Sequence, residues 1–501
     1  MKILSANQIR EADQFTIKKE PIKSIDLMER AVSRLFESIQ ASFDDRCRFA
    51  IFCGKGNNGG DGLALGRWLS SAGFGVEVFI IEHSDSSSED FTTNLKRLQS
   101  AGVTPHTVKS NNDIPSLAED VVIMDAMLGS GLSRPLEGLL SDVVQALNTL
   151  PNEKIAIDIP TGLFADDNSD NNIEAIFKSD NTLTFQCPKL SMMHKDTAYF
   201  AGYVEVLDIG LDSDFIRTAR VSEFFVTPSD IKGIYRPRKR YSYKGTYGHI
   251  LAIAGSYGSM GAAIMSGTAA LRSGAGLLTA YIPQCGMEVY QTSLPEAMAI
   301  VGDEEKHIAG MPDLEKYNTI AAGPGIGQHE DTIEVLKHIL RNYDGNLVLD
   351  ADALNIIASN RDMLKLLPED AILTPHPGEF KRLIDKNSEG DYLEDLRSFS
   401  KDYNVVVILK NTISTIATPD GNLFFMDYGT PALAKGGSGD VLTGVVAGLL
   451  ASGYRPDEAA KLGVYLQGVA AHYAEEKTSA EACMATDVIR QIGLAFQAIN
   501  D

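Results

Sequence analysis

Three observations predict an α/β fold in two domains. Short apolar runs ending in a polar or acidic residue alternate with amphipathic stretches, the pattern of a largely parallel sheet with helices on both faces. In each half of the chain, one such run leads into a glycine-rich turn that opens a helix. The length, 501 residues, exceeds one ordinary core at roughly 150 residues per domain.

The first half can be taken in order. Residues 5–42 carry apolar positions at helical spacing, enough for one or two helices. Arg48 to Cys53 is a short apolar strand, and GKGNNGGDGLALGRWL follows it at once as turn and helix. GVEVFII (75–81), VVIMDA (121–126) and KIAIDIP (154–160) are further strands. Ligands bind at the carboxyl ends of strands in such sheets, and Asn57–Asp61, Asp125 and Asp158 fall there. The pattern loosens from about Leu211 to Lys244, where basic RPRKRYSYKG reads as a solvated interdomain linker. The domains are placed at 1–217 and 226–501.

The second half repeats the class of pattern without repeating the sequence. HILAIAGS (249–256) is a strand ending in a glycine turn, and 261–283 reads as a small-residue helix running into a strand. TIAAGPGIG (319–327), LVLDADAL (347–354), AILTPHPGEF (371–380) and VVVILKNT (405–412) are strand-then-loop units. GTPALAKGGSGDVLTGVVAGLLASG (429–453) is a glycine turn that opens a long apolar helix.

Composition excludes several classes. The formal net charge of −22 argues against a nucleic-acid or anionic-membrane partner and suits a cytoplasmic protein. The five cysteines are odd in number and scattered, with no C-x-x-C pair, so neither a disulfide framework nor a zinc site is expected. MKILSANQIREADQF lacks the apolar stretch of a signal peptide, and no apolar run reads as transmembrane.

AKGGSGDVLTG (434–444) carries the most chemistry. Gly436, Gly437 and Gly439 permit tight backbone and close ligand approach, and the following helix aims free N–H groups at the loop, an anion site. Asp440 at the helix start is either a catalytic acid/base or simply an N-cap. The surrounding motifs tip this balance. YKGTYGHILAIAGS, GAAIMSGTAALRSGAG, GPGIG, LDADAL, LTPHPGEF, ILK and KGGSGDVLTG, in that order, resemble the NAD(P)H-hydrate dehydratase family of the ribokinase-like superfamily, over about residues 226–498.

That resemblance implies a ribokinase-like three-layer α/β/α sandwich and a lyase that restores hydrated NADH and NADPH using ADP or ATP. The fused form leans to ADP, giving AMP and phosphate, with magnesium alongside. It implies Asp440 as catalytic residue, nucleotide contacts at Lys410, Asn411, Thr412, Ile413, Ser414 and Gly439, and hydrate contacts at Ala262, Gly325, His376 and Asp440. The chemistry suits these residues. The hydrated ring carries a hydroxyl on C6, and hydroxide leaves poorly where phosphate leaves well. Asp440 would take the hydroxyl proton as a phosphoryl group transfers to oxygen. Asn411, Gln467 and the stretch 429–432 depart from the family pattern and bear on adenine and ribose contacts.

CGKGNNGGDG (53–62), LMERA (27–31), MLGSGLSRPLEG (127–138) and AIDIPTGLFADD (156–167) resemble the NAD(P)H-hydrate epimerase family over about residues 1–217, with Val32 where glycine is usual. The resemblance implies a Rossmann-like three-layer α/β/α sandwich that interconverts R and S hydrates, with Asp158 as acid/base. It implies hydrate contacts at Asn57, Asn58, Gly59, Gly60, Asp61, Gly129, Ser130, Gly131, Leu132, Ser133, Arg134, Pro135 and Asp158. It also implies a potassium ion on Asn58, Asp125 and Thr161. These are hard oxygen donors, and on donor type alone magnesium would serve as readily.

Hydrated NADH and NADPH, ADP and AMP are therefore the expected partners. A homo-oligomer is also expected, with the small-residue helix near 261–276 packing on another subunit or on its own sheet. The rival reading is a ribokinase-like small-molecule kinase fused to a nucleotide-binding module; LTPHPGEF together with LDADAL favours the dehydratase.

Overall fold

The structure is a computed structural model that describes residues 1–385 and 391–500; the last residue of the second expected domain, 501, lies outside them. The chain divides into two compact units, Lys2–Glu223 and, together with Met1, Phe224 to the C-terminus.

The first unit holds a seven-stranded sheet. Its strands are β1 (Arg48–Cys53), β2 (Gly75–Ile81), β3 (His106–Val108), β4 (Val121–Ala126), β5 (Lys154–Ile157), β6 (Asn181–Phe185) and β7 (Tyr203–Leu207). Their order is β3-β2-β1-β4-β5-β6-β7, with every pairing parallel. The order reverses between β1 and β4, which opens a crevice beyond their carboxyl ends. β1 is buried from Phe49 to Cys53, and its alternate side chains enter two separate apolar clusters, so both faces are covered. KIAIDIP stops being a strand at Ile157, because Asp158 turns into the left-handed region at φ 67°. The helical run near the N-terminus is two helices, Ala6–Lys19 and Ser24–Ser42; Ser5 caps the first by accepting from the Gln8 N–H.

Among the described residues, the second unit holds a ten-stranded sheet. Its strands are β8 (Glu223–Phe225), β9 (His249–Ile253), β10 (Leu277–Ile282), β11 (Met298–Val301), β12 (Thr319–Ala322), β13 (Asn346–Leu349), β14 (Ile372–Leu373), β15 (Val406–Leu409), β16 (Ser414–Ala417) and β17 (Leu423–Met426). The order is β11-β10-β9-β12-β13-β14-β15-β16-β17-β8. Pairing is parallel from β11 to β15, then antiparallel through β16 and β17. The helix Ser438–Ala451 is buried at every position from Val441 to Ala451, as a helix apolar all round must be. The small-residue helix Met260–Arg272 packs against it. A Cβ on Gly444 would lie 2.1 Å from the Ser266 carbonyl oxygen, so glycine permits the approach.

The basic run 236–245 is largely exposed, as expected of a solvated stretch, but it lies inside the second unit rather than between the units, and the rest of 211–244 carries regular structure. Helices Ser213–Thr218 and Pro228–Ile234 and strand β8 form within it. Two arginines of the basic run lie on tyrosines: the Arg236 guanidinium lies 4.3 Å from the Tyr454 ring centroid and pairs with Glu458, and Arg238 covers Tyr247 at 4.0 Å. Among the described residues, no helix is long and apolar enough to cross a membrane.

Candidate active sites

The glycine turn after β1 is shaped by close packing. A Cβ on Gly54 would sit 1.9 Å from the Met127 carbonyl oxygen, and one on Gly59 would sit 1.9 Å from the Gly54 carbonyl oxygen. Glycine lets the helix Asn57–Ser71 start directly against the end of β4. This leaves a cavity of about 480 Å³ lined by Asn57, Asn58, Asp61, the loop Gly129–Leu132 and Asp158. Gly59 and Gly60 pack the helix and do not line it; Ser133, Arg134 and Pro135 are exposed further along the loop.

Asp158 is fixed by residues far away in sequence. The Lys189 ammonium, fully buried, donates to Asp158 Oδ1 at 2.6 Å, and the Ser130 N–H donates to Oδ2 at 3.2 Å. Burial pushes this carboxyl up, but Lys189 and Ser130 outweigh it, so Asp158 stays below the usual carboxylate range. Asp61, buried and facing the charge of Asp158, is held well above that range. Asp13, from the helix Ala6–Lys19, also lines the cavity.

Beside the cavity, Thr161 Oγ1 donates to Asp125 Oδ1 at 2.7 Å and the Thr161 N–H donates to Oδ2 at 2.7 Å. Burial still raises Asp125 to about 6 against these bonds. Asn58 is buried with neither its amide oxygen nor its amide nitrogen bonded to protein. An unsatisfied buried amide is costly and calls for a ligand. Asn58, Asp125 and Thr161 together offer amide, carboxylate and hydroxyl oxygens, a donor set that fits a hard cation.

In the second unit, strand ends converge on the turn 434–440. The helix Ser438–Ala451 starts two residues before Asp440 and is capped by Gly437 at φ 94°. Asp440 therefore sits in the first turn, beside free amides. Buried Asp350, after β13, accepts from Lys410 Nζ at 2.7 Å and from Thr443 Oγ1 at 2.7 Å. Burial raises Asp350, but Lys410 and Thr443 outweigh it and keep it below the usual range. Among the described residues Asp440 has no bonded cation, and the nearby Lys410 charge offsets its burial only in part. Burial first, then the charge of Asp350, raises it to about 6.

The other expected residues group around this point. A Cβ on Gly439 would lie 3.1 Å from Lys410 Nζ, which puts the ammonium against the glycine turn. Asn411–Ile413 form the β15–β16 turn, where Asn411 Oδ1 accepts from the Thr412 N–H; Ser414 opens β16. Gly325, at φ 65°, lies against Ala262. His376 caps the helix Pro377–Ile384, its Nδ1 accepting from the Gly378 N–H at 2.9 Å, and half of the ring faces solvent. Gln467 Nε2 donates to the Ser438 carbonyl at 2.6 Å, so this departure from the family pattern braces the glycine turn.

Sequence reasoning missed Lys189, Asp13 and Asp350 as site residues. Asp350 lies inside the quoted LDADAL motif. Lys189 and Asp13 carry no local signal, because only the fold brings them to Asp158.

Two parallel α/β modules, each with a carboxyl at the mouth of a glycine turn, define a two-site nucleotide enzyme. A family model described as YjeF-related protein N-terminus matches residues 24–191, and one described as NAD(P)H-hydrate dehydratase matches 250–493. The bifunctional NAD(P)H-hydrate repair enzyme Nnr of Moorella thermoacetica is 34% identical, covering 98% of this chain and 95% of that one. The Nnr of Thermofilum pendens is 30% identical, covering 100% and 97%. A ribokinase-like superfamily protein from Enterococcus faecalis shares the fold of the second unit, with a TM-score of 0.51 at 24% identity over 56% of this chain and 98% of that one. The chain belongs to the family of bifunctional NAD(P)H-hydrate repair enzymes. It is an NAD(P)H-hydrate epimerase and an NAD(P)H-hydrate dehydratase in one polypeptide.

Proposed function

We propose that dehydration runs through phosphoryl transfer at Asp440, and that the N-terminal cavity feeds it by inverting C6. The observation that carries the reading is the raised Asp440 carboxyl in the first turn of an apolar helix, beside free amides and the Lys410 ammonium. Asp440 takes the proton of the C6 hydroxyl while that oxygen attacks the terminal phosphorus of ADP, releasing AMP. The amides from Gly437 to Asp440 and Lys410 stabilise charge on the group in flight. The N1 lone pair then expels phosphate, C5 loses a proton, and the C5–C6 double bond of NAD(P)H forms. Lys410, the 411–414 turn and Gly439 hold the nucleotide; Ala262, Gly325 and His376 hold the hydrate.

Magnesium would accompany the nucleotide's phosphates and neutralise part of their charge. Potassium is assigned to Asn58, Asp125 and Thr161, where its charge would hold the ends of β1 and β4 and the Asp158 loop in register. Asp158 is the acid/base of the epimerase, with Asn57–Asp61 and Gly129–Pro135 around the hydrate. We place the domains at 1–217 and 226–501 and the protein in the cytoplasm, which suits five unpaired cysteines. Self-association has its support in the apolar edge strand β11, where Met298, Ile300 and Val301 are each more than a third exposed.

The test mixes the protein with both NADH-hydrate epimers and ADP and follows the near-ultraviolet absorbance of reduced nicotinamide. Wild type recovers both epimers. Asp440→Asn recovers neither, and normal recovery by that variant refutes the mechanism. Asp158→Asn consumes the S epimer at the normal rate and stalls on R.

A further inference from the structure

The cavity of the first unit carries three carboxyl groups, and they are not equivalent. Asp158 has a buried ammonium and a backbone N–H. Asp13 and Asp61 have no hydrogen-bond or ion-pair partner among the described residues, yet both line the same cavity. A half-buried carboxyl with no protein partner is available to a ligand. Asp13 comes from the helix Ala6–Lys19, whereas Asp158 follows β5, so two separate elements bring carboxyls to the one cavity.

Inversion at C6 by loss and return of water needs two proton-handling groups. One must protonate the departing hydroxyl and the other must deprotonate the incoming water, on the other face of the ring. One carboxyl cannot serve both faces at once. We propose that Asp13 is the second catalytic residue of the epimerase, paired with Asp158. In the R-to-S direction the Asp13 carboxylic acid gives its proton to the C6 hydroxyl. The C6–O bond breaks, water departs, and the N1 lone pair closes a planar N1=C6 bond. Water adds to C6 from the opposite face as the Asp158 carboxylate takes its proton. One water leaves and one enters, and the proton moved from Asp13 to Asp158 returns through solvent. In the reverse direction the roles exchange.

The electrostatics sort Asp13 from Asp61. Asp13 is raised to about 6 by burial and by the Asp158 charge, against the pull of Lys189. It is thus poised near neutral pH, as a group that both gives and takes a proton must be. Asp61 is buried and is held well above the usual range by burial first, then by Asp158, Asp13 and Asp90. The charged groups facing Asp13 are Asp61, Asp158 and Lys189, with Arg10 of its own helix on the cavity wall.

The inference rests on the cavity being the epimerase site, and the experiment separates the two claims. Recovery of pure R hydrate is followed with Asp13→Asn, Asp13→Glu and Asp158→Asn in the full chain, early enough to precede spontaneous epimerisation. Melting curves of the first unit's transition accompany each variant. We expect Asp13→Asn to lower the R-epimer kcat by about 100-fold or more with KM nearly unchanged. S-epimer consumption should be normal, and the fall in rate as pH rises through about 6 should disappear. Asp13→Glu, which keeps the carboxyl, should restore part of the rate. Wild-type R recovery by Asp13→Asn, a change confined to KM, or no rescue by a well-folded Asp13→Glu overturns the assignment. If Asp158→Asn also recovers R at the normal rate, the reading of the cavity itself falls.

Discussion

At Asp440, burial and the negative Asp350 hold the carboxyl at about 6, and a base must be ionised to work. Dehydratase kcat/KM with S hydrate should therefore rise as pH climbs through about 6, and fall about tenfold per pH unit below it; a flat profile from pH 5 to 8 would contradict that role. Lys410 makes a different claim. It is the only cation bonded to buried Asp350 among the described residues. Lys410→Met leaves that charge unpaired and should cost about 3–5 kcal/mol at pH 7 by denaturant titration. The sign with pH is definite. Asp350 sits below its usual value, so its contribution is present above the carboxylate range and lost as acid protonates it. The variant's deficit should shrink accordingly on acidification. Asp440 was legible because a glycine turn and its aspartate are contiguous in sequence. Lys410 was legible as a nucleotide contact, but its pairing with Asp350 was not, since the two are separated by strands that meet only in the sheet.

At the scale of elements, both glycine turns depend on close approach, of a helix to its sheet in the first unit and of two helices to each other in the second. Gly444 lets the helix Ser438–Ala451 rest on the Ser266 carbonyl, and a methyl there has nowhere to go. Gly444→Ala should destabilise the second unit by about 1–3 kcal/mol and lower dehydratase activity; an unchanged melt would show that the contact is looser than drawn. In the first unit, the orphaned Asn58 amide and the raised, buried Asp125 predict a cation effect. At 100-fold above its Kd, potassium should stabilise this unit by about 2.7 kcal/mol, and lithium should do less; Asn58→Ala should abolish the difference. The strands were readable from apolar runs, and β1, β2 and β4 begin and end where those runs do. The stretch 211–244 was not. Its helices and β8 are short, their apolar positions few, and the docking of Arg236 and Arg238 onto tyrosines is a tertiary contact with no sequence period.

For the whole molecule, two chemistries are drawn from two units, and each site is built from its own sheet's carboxyl ends. Epimerisation without dehydration repairs nothing, and dehydration alone clears one epimer. Joining them lets one chain clear both. The central claim is that the C6 oxygen leaves as phosphate. S hydrate carrying an isotopically labelled C6 hydroxyl, turned over once with ADP, tests it directly by mass analysis of the products. The label should appear in inorganic phosphate, one atom per NADH formed, and Asp440→Asn should release none. Label recovered in water, with unlabelled phosphate, would contradict phosphoryl transfer to the substrate and with it the role given to Asp440.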